Sequence, residues 1–153
     1  MSKVVIRDET RNQASFDYTI EKLLLGRHTT RRIDYANISG ALETVAVGTI
    51  MGRVDATGKL VPQVSTAVDG SQEPVAIMGE KLTDIAIAGT VDKVLVVDGG
   101  DIDAALLTFG GADTLDTIVT NTGGVKKSIQ DFLIQNGNGF EFLNVKDSSE
   151  FDN

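Results

Sequence analysis

The feature that most constrains this chain is a run of short β-branched stretches separated by turn residues between Leu42 and Gly100. "LETVAVGTIMGRV" is nearly uncharged and rich in Val, Ile and Thr, and "DATGK" then supplies the Asp, Thr and Gly that turns use. "KLVPQVSTA" resumes the extended pattern, "VDGSQEP" turns again, "PVAIMGEKL" makes another strand, and "KVLVVDGG" a further one that stops at a glycine pair. Short strands with turn signals at near-regular spacing specify a mostly β barrel or sandwich.

Two segments break this rhythm. "GGDIDAALLTFGG" offers Asp101 or Asp103 as an N-cap before helix-forming Ala-Ala-Leu-Leu, which predicts one or two helical turns. "SIQDFLIQNGNG" places Ser128 three residues before Asp131, a loose capping box, and ends at Gly137, which predicts a second short helix. "FEFLNV" then alternates as a last strand does. The expected fold is a small β-barrel or sandwich with one or two short helices and an extended N-terminal arm.

Residues 1–40 read as that arm, 41–146 as the β-rich core and 147–153 as a polar tail. The arm carries one short amphipathic patch, Phe16, Ile20, Leu23 and Leu24, ahead of Gly26. So few apolar residues do not offset the entropy of ordering, so the arm is not expected to fold alone. Phe16-Asp17-Tyr18 and Ile33-Asp34-Tyr35 echo each other, too briefly to define a repeat.

Charge divides along the same boundary. The whole chain of 153 residues has a formal net charge of −8. Up to Asn37, Lys3, Arg7, Arg11, Lys22, Arg27, Arg31 and Arg32 oppose Asp8, Glu9, Asp17, Glu21 and Asp34, so this stretch is +2 and the remainder −10. A net anion repels nucleic-acid phosphates and anionic membranes, and no stretch is long and apolar enough to span a bilayer. The start "MSKVVIRDET" lacks the apolar centre of a signal peptide, which points to synthesis in a cytoplasm. Absent cysteine, stability must come from the core or from assembly.

Candidate chemistry is sparse. His28 is the only histidine and sits among Arg27, Arg31 and Arg32, which fits an exposed basic loop better than a catalytic base. Asp98, Asp101 and Asp103 carry oxygens suited to calcium, but their spacing fails the EF-hand loop, and a turn followed by a helix cap explains them. Glycine-rich spots lack the Walker lysine and the Rossmann spacing, and no nucleophile elbow surrounds any serine. The three arginines form the densest basic patch, which reads either as a solvated basic loop or as a surface for docking on acidic protein through their planar forks.

From Gly48 to Glu80 the chain resembles the lambda-type phage head decoration proteins. The resemblance rests on Thr57-Gly58-Lys59, Pro62, Asp69-Gly70 and Pro74-Val75-Ala76-Ile77-Met78 in that order, followed by "KVLVVDGGDIDAALL", and covers about residues 45 to 107. It implies a subunit without cofactor or enzymatic activity that trimerises on the outer surface of the expanded head, at local threefold positions. There it would bridge neighbouring major capsid proteins, with no nucleic acid or membrane partner. By position the arm would run along the shell, with Arg27, Arg31, Arg32, Phe16, Tyr18, Ile33 and Tyr35 as capsid-binding residues. Asp55, Thr57, Gly58, Lys59 and Pro62 would be a structural turn that reverses a strand. Leu106, Leu107 and Phe109 are candidates for the trimer contact. The alternatives are the base of a head fibre or spike, and a small ligand- or metal-binding β-barrel.

Overall fold

The computed structural model describes Ile20 and residues 22–144. Ten strands follow one another: β1 (Leu24–Ala36), β2 (Glu43–Val45), β3 (Ile50–Arg53), β4 (Leu60–Pro62), β5 (Pro74–Met78), β6 (Leu82–Ile85), β7 (Thr90–Asp103), β8 (Ile118–Thr120), β9 (Lys126–Ser128) and β10 (Phe140–Leu143). A 3₁₀ turn, Ala104–Leu106, follows β7, and helix α1, Ile129–Asn136, separates β9 from β10. Strands β1, β4, β3, β5 and β7 pair in that order, and β7 pairs back onto β1, closing a five-stranded barrel to which β10 adds outside. The β2–β6 and β8–β9 pairs are separate two-stranded ribbons.

The apolar runs of β3, β4 and β5 are continuous because these strands are largely buried on both faces. Ala76 and Met78 of β5 join Met51, Leu60, Val94, Val96, Ile33 and Tyr35 in one cluster. Ile77, between them, points the other way and joins Ile50, Val97 and Ile102 in a second. That second cluster is covered by Ile129, Phe132 and Leu133 of α1 and by Phe140 of β10. Period-two alternation thus sends Ala76 and Met78 to one core and Ile77 to the other.

Local signals explain the elements between. Ser128 caps α1, accepting from the Asp131 amide at 3.1 Å, and Gly137 closes it, donating to the Leu133 carbonyl. Asp103 caps the 3₁₀ turn through the Ala105 amide. Asn37, almost fully buried, gathers the loops beside it: its amide donates to the carbonyls of Ala41, Ile85 and Ala86, and its oxygen accepts from Ser39.

Three sequence expectations differ from the structure. Residues 24–36, assigned to an arm that would not fold alone, form the strand that closes the barrel, antiparallel to β7 from Leu24↔Ile102 to Ala36↔Thr90. A helical turn at Lys22 and Leu23 leads into it, with Leu23 buried and Ile20 packed against the same cluster. "LETVAVGTIMGRV" is two strands, not one, divided at a turn where Gly48 has φ +94°. Finally, β7 does not stop at Gly99-Gly100 but runs through them, because these two lack the Cβ that would collide with the Asn138 carbonyl on one side and with Arg27 and His28 on the other. Phe16, Tyr18 and the tail 147–153 lie outside the described residues.

Candidate interaction surface

The turn between β3 and β4 builds one wall of the surface. Met51↔Pro62, Gly52↔Val61 and Arg53↔Leu60 are the antiparallel pairs of this hairpin. The Val54 amide donates to the Lys59 carbonyl at 3.0 Å, and the Gly58 amide to the Val54 carbonyl at 2.7 Å. Gly58 takes φ +71°, the left-handed region in which only glycine is unstrained. Thr57 Oγ1 accepts from the Lys59 amide, and Arg53 Nε donates to the Gly58 carbonyl at 2.7 Å, tying the strand to its own turn. Asp55 accepts from the Thr122 hydroxyl, and its amide donates to the Asp69 carbonyl. Asp69 in turn accepts from the Ser71 hydroxyl and amide, which hold its carboxyl below the usual carboxylate range.

Strand β1 and the start of β7 form the other wall. Arg32 donates to the Lys93 carbonyl at 2.9 Å and lies 3.7 Å from Glu80. Asp34 accepts from the Lys93 amide. Between the walls is an open cleft of about 530 Å³, lined by Arg31, Arg32, Arg53, Lys59 and Lys93 with Asp34 as its one acid. Lys59, Lys93 and Arg53 have no carboxylate within 4.0 Å among the described residues. Five cations against one anion is a sharp reversal of sign on a chain of net −8.

The expected capsid-binding residues separate here. Arg31 and Arg32 line the cleft, whereas Arg27 lies further along β1, beside Asp101 and the Gly139 carbonyl. Ile33 and Tyr35, expected on the binding surface, are instead buried in the barrel. Alternation along β1 turns them inward, and Tyr35 donates its hydroxyl to Glu43. Burial, and then that hydrogen bond to a carboxylate, pushes the Tyr35 phenol well above its ordinary range. Leu107 and Phe109 pack partly against the core, while Leu106 is exposed. Arg53, Lys59 and Lys93 escaped the sequence reading as one site, because Arg31 to Lys93 spans most of the barrel and no local spacing links them.

The three aspartates do not converge. Asp98 lies at a β-bulge between the pairs Thr30↔Val97 and Thr29↔Gly99, and accepts from Thr29 Oγ1 at 2.7 Å and Asn138 Nδ2 at 3.1 Å, with Arg31 Nε 3.7 Å away. Asp101 faces Arg27, and Asp103 is the cap already described. Among the described residues no three His, Cys, Asp or Glu side chains group in a way that could hold a metal, and no helix is long and apolar enough to cross a membrane. His28 is exposed on β1, its ring within 3.3 Å of the Gly26 carbonyl.

Asp69, Asp98 and Asp103 hold turns and strands of this closed barrel together, and a basic cleft opens on its surface. The family model of bacteriophage lambda head decoration protein D matches residues 18–128, from just before β1 to the end of β9. The chain belongs to that family, and is a phage head decoration protein and a component of the virion capsid. The match is wider on both sides than the turn pattern of residues 45 to 107, and takes in the barrel-closing strand. No curated protein matches the chain.

Proposed function

We propose that the protein binds the outer surface of the expanded head as a trimer at local threefold positions and bridges neighbouring major capsid proteins. The family match across the whole barrel is the observation that carries this reading. Since β1 is part of the barrel wall and Ile20 packs on the core, this reading gives the shell contact to residues 1–19, adding to capsid sheets by main-chain hydrogen bonds. Three such arms on one body multiply a weak contact by roughly 10² or more through effective concentration.

The trimer contact falls on the loop Val64–Val68 with Ile118. Val68 is 84% exposed, Ile118 62% and Val64 45%, and they border two shallow depressions that share Thr66 and Ala67. The test is to weigh the purified protein in solution, and then to mix it with expanded shells stripped of decoration, alongside a form lacking residues 1–19. A trimer that saturates the shell, binding lost in the truncated form, and a Val68→Asp variant that is monomeric are the expected results. A monomeric wild type, or truncated protein that binds as well as the full chain, contradicts the proposal.

A further inference from the structure

Strand β1 is paired along its length on only one edge. Toward β7 it is bonded along its length, but toward β4 the pairing is the single parallel pair Tyr35↔Leu60. From Leu24 to Asp34 no described strand lies on its other side, and Leu25 to Arg32 are all exposed. An edge of this length with no described strand paired along it is a template for another strand. The basic cleft lies where β1 and the β3–β4 hairpin diverge from that one closing pair, so the free edge and the cations border the same opening.

From this juxtaposition we infer that an extended, acidic segment of the shell protein docks there, adding as a strand to β1 while its carboxylates meet Arg53, Lys59, Lys93 and Arg32. The inference rests on the capsid-binding reading for the identity of the partner. It assigns this chain a second mode of attachment, in which the barrel receives a strand as well as giving one.

Charge argues for the occupant. Lys3, Arg7 and Arg11 balance Asp8, Glu9 and Asp17 in residues 1–19, so this chain's own arm brings no net charge to complement the cations of the cleft. Arginine is prepared for carboxylates here, since Arg53 is already oriented by the Gly58 carbonyl with no carboxylate within 4.0 Å among the described residues, while Arg32 is held by the Lys93 carbonyl and shares its charge with Glu80. Nucleic acid is the weaker fit, because the rest of the molecule repels a long polyanion.

The variant to make is Lys59→Glu with Lys93→Glu, two side chains that hold no hydrogen bond among the described residues, and its melting curve must match wild type. Affinity for stripped expanded shells is measured across a salt series, and hydrogen exchange of β1 is followed on and off the shell. The expected result is about tenfold weaker binding at low salt, with the gap narrowing as salt screens it, and slower exchange at Leu25–Arg32 in the bound wild type. If wild type binds and the variant binds equally at every salt concentration, or β1 exchange is unchanged, the cleft inference fails while the capsid reading stands. If wild type does not bind at all, the capsid reading fails and takes the inference with it. A short DNA duplex that protects β1 as the shell does, or a variant whose only change is its oligomeric state, overturns the acidic-segment assignment. Where the double variant misfolds, Lys59→Gln alone gives the same reading at smaller amplitude.

Discussion

Replacing Gly58 by valine tests the hairpin turn at its one strained position. With φ +71°, a residue bearing a Cβ is forced into the left-handed region, at about 1–2 kcal/mol and at the upper end for a β-branched side chain. No collision adds to this, since the nearest atom to a new Cβ is the Arg53 guanidinium at 3.7 Å, ordinary contact distance. Valine also restricts the unfolded chain, which offsets about 0.4–1 kcal/mol. The net loss is about 1 kcal/mol, or roughly 2–4 °C of melting temperature for a domain of this size, read by calorimetry. Gly58→Asn, which tolerates the left-handed region, should lose less than half as much. Gly52→Val makes the contrast: its Cβ would overlap the Ser71 carbonyl, so backbone must move and the loss should exceed that of Gly58→Val. Unchanged melting for Gly58→Val, or an equal loss for Gly58→Asn, would refute the backbone-angle argument.

Asp98→Ala removes the acceptor shared by Thr29, Arg31 and Asn138 and should cost about 2–3 kcal/mol, with hydrogen exchange in β10 quickening before the rest of the barrel; uniform exchange would contradict a local latch. Tyr35 has its folded-state pKa raised, so its contribution is present below its unfolded value near 10 and is lost as pH climbs above it. Stability should therefore fall in alkali above about pH 10, and Tyr35→Phe, measured by denaturant titration, should flatten that fall. Phe132→Ala opens the cluster between α1 and the barrel wall and should cost about 3–5 kcal/mol in the same assay.

What the sequence made legible was local chemistry. Thr57-Gly58-Lys59 and Asp69-Gly70 are turns because Gly, Asp and Thr satisfy turn geometry within a few residues, and Ser128 caps α1 through an amide three positions on. Strand β1 was illegible for the opposite reason. "LGRHTTRRIDYA" has no alternating apolar face over its first half, and its extended form comes from the ladder to β7, some 60 residues away. The Gly99-Gly100 pair misled because glycine usually ends a strand, whereas here its missing side chain admits the Asn138 carbonyl and β1. The cleft depends on closure of the barrel: Arg31, Arg53, Lys59 and Lys93 meet only once β1 lies between β4 and β7.

The central claim is that the protein stabilises the head by bridging capsid subunits. Expanded shells stripped of decoration should be heated with and without saturating protein, and their disruption followed by light scattering or calorimetry. A shell that melts higher in proportion to occupancy, and returns to the bare-shell temperature when the form lacking residues 1–19 is used, is the predicted result. Full occupancy with no rise in the shell's melting temperature would contradict the account.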